Sequence, residues 1–137
     1  MGIKSIILRI PWLGPSTNEV IGKHWSIYHK HKESAEIALR VALSEQFSNQ
    51  TVSIDTPAKV TFRAFLGPKR HAFDLDNYST SYKILVDCCV DVGILPDDRD
   101  KYVSAFEIQR ACRFKEWHKK GMPKDTHVML QIRCIYR

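Results

Sequence analysis

The sequence predicts an α+β fold: one compact mixed β-sheet with about two packed helices, ordered β-α-β-α-β-β in a single domain over residues 1–137. Three observations predict it. The stretch "AKVTFRAFL" alternates apolar and polar residues with the period of a half-buried strand. Two later and earlier segments, "HKESAEIALRVALSEQF" and "YSTSYKILVDCCVDV", space their apolar residues as amphipathic helices do. The chain has 137 residues, 44% apolar and 26% charged, which suits one hydrophobic core and excludes disordered and collagen-like classes.

Each element has its own justification. "SIILRI" (Ser5–Ile10) reads as a strand ended by Pro11, and the turn-formers of "PWLGPSTNEVIGKHW" predict an irregular loop after it. The first helix is expected from about Lys32 to Phe47, with Ile37, Val41 and Ser44 on the core face and Leu39, Ala42 and Leu43 widening it. Pro57 opens a strand in which Val60, Phe62, Ala64 and Leu66 point inward. The second helix is expected from Tyr78 to Val92, with Tyr82, Leu85, Val86, Cys89 and Val90 inward. Asp76 or Asn77 stands where a cap would start it, and Gly93 where it would end. Strands follow at about Tyr102–Arg110 and His127–Ile135, joined by "RFKEWHKKGMPKD" as a basic hairpin loop.

Charge narrows the partners. A formal net charge of +6 favours a polyanion. No run approaches the ~20 apolar residues of a membrane span. The opening "MGIKSIILRIPW" is broken by Arg9 and Pro11 and reads as a strand rather than a signal peptide, so a cytoplasmic protein without a membrane partner is expected. Cys88, Cys89, Cys112 and Cys134 show no zinc spacing and are expected as buried, reduced thiols. "HKH" at His29–His31 reads as a solvated face.

Against that basic background, four acids stand out: Asp74 and Asp76, then Asp97 and Asp98. If Asp74 to Asp76 is extended, both side chains share a face with Cα atoms about 7 Å apart, a separation from which carboxylates converge on a hard cation. The alternative is that one of them caps the helix. The Asp97–Asp98 pair follows Pro96, where turns favour acids for local reasons. A helix of about 22 Å separates the pairs, and the return from Gly93 spans at most about 20 Å, so Asp98 barely reaches the first pair within one chain. A site completed by a partner subunit is the other possibility. Lys83 sits four residues before Asp87, the spacing of an ordinary helix ion pair, or it offsets charge at a phosphate. Lys69, Arg70 and His71 precede the acids and would flank a bound phosphate. Arg113, Lys115, Lys119 and Lys120 interleave with Phe114 and Trp117 in the later loop, as in segments that bind phosphates and stack bases, or as in any exposed loop.

Together these residues resemble the RusA-type endodeoxyribonucleases, the Holliday junction resolvases often carried by phages and prophages. The resemblance rests on "DLDN" (Asp74–Asn77), on "KILVDCCVDVGILPDD" from Lys83, and on the opening "IPWLGPSTNEV"; it covers most of the chain and weakens after about Arg110. It implies a single RusA-like domain that forms a homodimer, binds four-way DNA junctions and makes paired symmetric nicks with Mg²⁺, for which Mn²⁺ substitutes. Carried over by position, Asp74, Asp76 and Asp98 become the catalytic, metal-holding acids, Lys83 the catalytic helix lysine, and Asn77 and Asp97 supporting residues. Two departures stand out: about three extra residues before Lys83, and Ala72–Phe73 interrupting the basic run before Asp74. The alternatives are a less selective branched-DNA or flap endonuclease, and a DNA-binding protein without catalysis.

Overall fold

Strand β1 (Ser5–Ile10) follows its sequence alternation, with Ile6, Leu8 and Ile10 buried and Ser5, Ile7 and Arg9 facing outward. The chain is described by a computed structural model over residues 3–20, 22–23, 25–48 and 50–135. Ile21 and His24 of the expected first loop lie outside the described residues. That loop contains a short helix, α1 (Thr17–Val20), and leads to α2 (Trp25–Phe47), which begins seven residues earlier than its expected start at Lys32.

The buried face of α2 differs from the expected one. Ala35, Leu39 and Ala42 face the core, whereas Ile37 is 67% exposed and Val41 44% exposed. At 100° per residue, Ile37 lies about 160° around the helix from Leu39, so the two cannot share a core face. Two alanines flanking one leucine let α2 approach its neighbour closely, which a branched residue at those positions would prevent.

Strand β2 (Ala58–Phe65) buries Val60, Phe62 and Ala64 against the helices, and Thr61 is buried as well. A 3₁₀ turn (Leu75–Tyr78) precedes α3 (Ser79–Asp91), whose Tyr82, Leu85, Val86 and Cys89 are buried as expected, joined by Ser81, Ile84 and Cys88. Gly93 ends the helix in the left-handed region (φ +88°), with Ile94 N–H donating to Cys89 O at 2.9 Å. Strands β3 (Val103–Ile108) and β4 (His127–Cys134) flank a short helix α4 (Phe114–Trp117).

The sheet order is β1-β4-β2-β3, with β2–β3 parallel and β4 antiparallel to both β1 and β2. The expected hairpin between the last two strands is therefore absent: β2 lies between them. The residues after β3 continue alongside the end of β2, where Cys112 bridges Phe65, and only then turn back. Trp117 fixes that turn by donating its indole N–H to Leu66 O at 2.9 Å and packing edge-on against Phe65 and His127. The parallel pair β2–β3 needs a crossover, and α3 supplies it on the core face. The fold is α+β, as predicted. Cys88, Cys89 and Cys112 are buried and Cys134 is half-buried; burial pushes the Cys88 thiol up to about 12. Among the described residues no helix is long and apolar enough to cross a membrane.

Candidate functional site

The entry to α3 is held by the opening loop. Thr17 donates its hydroxyl to Asn77 O at 3.3 Å, and lies 2.9 Å from Ser79 Oγ and 3.0 Å from Thr80 Oγ1. One turn on, Ser81 donates to Pro15 O at 3.5 Å. Gly14 sits so close that an added Cβ would lie 2.5 Å from the Trp12 ring and 2.8 Å from Ser81 Oγ. The residues that lengthen the segment between Asn77 and Lys83 are thus stapled in place, and the helix simply starts after the 3₁₀ turn.

Asp74 is extended (φ −59°, ψ 149°), but Leu75 already begins the 3₁₀ turn, closed by Asn77 N–H to Asp74 O at 2.9 Å. The expected fully extended Asp74–Asp76 pair is not what forms, because the backbone after Asp74 folds to close that turn. Neither helical start has a side-chain cap: Asp74 precedes the 3₁₀ turn and Tyr78 precedes α3, and neither side chain makes a capping hydrogen bond. Both carboxylates are exposed, and among the described residues neither has a hydrogen-bond or ion-pair partner. Phe73 packs inward, its ring 5.0 Å from that of Tyr78 and its N–H donating to the Tyr78 hydroxyl at 3.0 Å.

Asp98 returns to α3 within the same chain. Its carboxylate pairs with Lys83, which also holds Asp87 at 3.0 Å, so the ion pair expected from i,i+4 spacing forms and is extended to a second acid. Burial opposes the charge on Lys83, but the hydrogen bonds it donates to Asp98 and Asp87 outweigh it and hold the ammonium above its usual range. Lys83 in turn holds the Asp98 carboxyl below the usual carboxylate range. Asp97 is a loop-former: it accepts Asp98 N–H at 2.7 Å and pairs with Arg99 at 2.8 Å.

The donor set suits a hard cation, since Asp74 and Asp76 are free oxygen ligands beside the helix start. Among the described residues, however, no three acid, histidine or cysteine side chains are gathered around one point. Asp98 is engaged by Lys83, which lies just over one turn into α3 and seven residues beyond Asp76.

The two basic segments come together. Arg70 and His71 line one cleft with Arg113 and Lys115, of about 400 Å³, with Phe114 on its wall. Lys69 and Arg70 line a neighbouring hollow with Lys124, and a third hollow runs from Arg113 past Phe73 to Leu75, between the two acids. Lys119 and Lys120 lie on the exposed turn beyond α4 and do not line the cleft. Arg110 is committed elsewhere: its guanidinium donates to both Glu116 oxygens at 3.0 and 2.7 Å. That pairing, helped by Arg113 N–H, brings the Glu116 carboxyl down to about 2. The expected stacking role of Trp117 gives way to its buttress role, while Phe114 stacks on His118 at 4.3 Å.

Thr17, Tyr28 and Glu116 were not singled out by sequence reasoning. Only Glu116 had a local signal, three residues after Arg113 where a first-turn acid accepts a free backbone N–H. No family model matches the chain, and no curated protein matches it.

Proposed function

We propose that the chain is a Mg²⁺-dependent endodeoxyribonuclease of the RusA type, resolving four-way DNA junctions as a homodimer. The observation that carries this reading is the pair of exposed carboxylates, Asp74 and Asp76, unpartnered among the described residues and following in the chain Ala72, which lines a cleft with Arg70, His71, Arg113 and Lys115. Unpaired acids next to a cation-lined cleft make no sense as charge balance; they suit a cation that links carboxylates to a phosphate.

In this reading Asp74 and Asp76 would hold Mg²⁺, and Asp98, paired with Lys83 in the structure, would be the third acid available to it. When bound, the cation supplies Lewis-acid stabilisation of the phosphate and its leaving oxygen. Lys83, half exposed, then faces the charge that develops on the phosphate. The arginines and lysines of the cleft neutralise flanking phosphates, and Leu75, 52% exposed between the acids, contacts sugar or base. A two-fold dimer presents two such sites to a junction of matching symmetry, which accounts for paired nicks.

The test is to incubate purified protein, with and without Mg²⁺, on a synthetic four-way junction beside linear duplex and a flap, with Asp76→Asn in parallel. Symmetric paired nicks on the junction that need Mg²⁺ and Asp76 establish the reading. Equal cutting of the flap makes it a less selective branched-DNA nuclease. Tight binding without cleavage in any divalent ion leaves a DNA-binding module, a reading that the Asp98–Lys83 engagement favours.

A further inference from the structure

Lys83 is gripped from behind. Asp87 accepts from Lys83 Nζ through Oδ1 at 3.0 Å, and its other oxygen, Oδ2, accepts the hydroxyl of Tyr28 on α2. Lys83 then reaches Asp98 in the loop after α3. The chain Tyr28–Asp87–Lys83–Asp98 thus crosses three separate elements and ends on an acid of the candidate site. Side-chain exposure is 24% at Asp87, 52% at Lys83 and 32% at Asp98, so Asp87 is the more sheltered of the two carboxylates that hold the lysine. Burial and the Asp87 carboxylate keep the Tyr28 phenol protonated and donating, pushing it well above its ordinary range. The α2–α3 register that presents Tyr28 is pinned one turn further on by Lys32, which pairs with Asp91 at 2.8 Å.

An isolated i,i+4 pair would need no third group. A lysine has a long, flexible stem, and two carboxylates hold its ammonium where one would leave it mobile. The arrangement has a consequence when a divalent cation takes Asp98: the cation repels the ammonium, and Asp87 is the group left to retain it. We propose that Asp87, fixed by the Tyr28 hydroxyl, is a positioning residue that anchors Lys83 beside the reacting phosphate. The catalytic part of this inference rests on the nuclease reading above; the anchoring part does not.

The test reads the two separately. Lysine ammonium groups that are firmly hydrogen-bonded give slowly exchanging ¹⁵N–¹H correlations at slightly acid pH, and Lys83→Met assigns the one that matters. The resonance is expected in the wild-type chain, to persist in Asp98→Asn, to broaden in Tyr28→Phe and to vanish in Asp87→Asn. Cleavage of a four-way junction is expected to lose about tenfold in kcat with KM unchanged in Asp87→Asn, with partial recovery in Asp87→Glu and a smaller loss in Tyr28→Phe. Tyr28→Phe keeps the ring and so decides the matter if Asp87→Asn fails to fold. A Lys83 resonance unchanged in both Asp87→Asn and Tyr28→Phe overturns the anchor. An intact anchor in a chain that cuts nothing overturns the nuclease reading and leaves the anchor standing.

Discussion

Lys83 of α3 and Asp98 of the following loop form an ion pair that ties the end of the crossover back to the middle of its own helix. The pair makes stability depend on acid pH in a definite direction. The folded Asp98 carboxyl is depressed, so its contribution is fully present above the unfolded value of about 3.9 and is lost as pH falls through the lower folded value. Solvent reaches both partners, so the contribution is that of a surface pair, about 0.5 kcal/mol. Urea unfolding of wild type and Asp98→Asn is expected to differ by about that amount at neutral pH, and the difference should close as pH falls below the unfolded value and through the lower folded one.

Asp74 and Asp76 give the opposite expectation. Among the described residues neither carboxylate caps a helix or pairs with a cation, so Asp74→Asn and Asp76→Asn should change unfolding free energy by less than about 0.5 kcal/mol. A capping carboxylate would cost about 1 kcal/mol when lost. The same two variants should abolish Mg²⁺-dependent cleavage while junction binding persists. Unfolding curves beside a cleavage assay check both halves, and a large stability loss would return these acids to a structural role.

The sheet strands were legible because alternation is a local signal: Val60, Phe62 and Ala64 declare their face without reference to any other segment. Strand pairing was not, because β3 and β4 are sequence neighbours separated in the sheet by β2. The Lys83–Asp87 pair was legible from its i,i+4 spacing, but the partners that lie far apart in sequence were not. Tyr28 meets Asp87 and Thr17 meets Asn77 across about sixty residues of sequence, and nothing near either end announces the pairing. The phase of α2 failed for a third reason. Ile37 and Val41 look more apolar than Ala35 and Ala42, yet it is the two alanines that are buried, where small side chains admit close packing.

That last point is measurable. Leu39 is fully buried and Ile37 is 67% exposed, although both are large aliphatic residues on one helix. Leu39→Ala should cost about 2–5 kcal/mol, while Ile37→Ala should stay within about 0.5 kcal/mol. Comparable losses at the two positions, read by urea unfolding, would mean that α2 presents the face its hydrophobic pattern suggests.

The basic cleft predicts how binding responds to salt, because each phosphate neutralised by a lysine or arginine releases counterions. Arg113 and Lys115 line the cleft, whereas Lys119 and Lys120 stand on the turn beyond it and Arg110 is bound to Glu116. Junction affinity measured across a salt series should therefore lose about 0.9 from its log–log slope with Arg113→Ala and again with Lys115→Ala. Lys119→Ala should leave the slope nearly unchanged. Glu116→Gln should steepen it, because losing the carboxylate charge weakens its hold on Arg110 and removes a negative charge beside Arg113. If Lys119→Ala flattens the slope as much as Arg113→Ala, the nucleic acid runs over the α4 turn and the cleft is not its path.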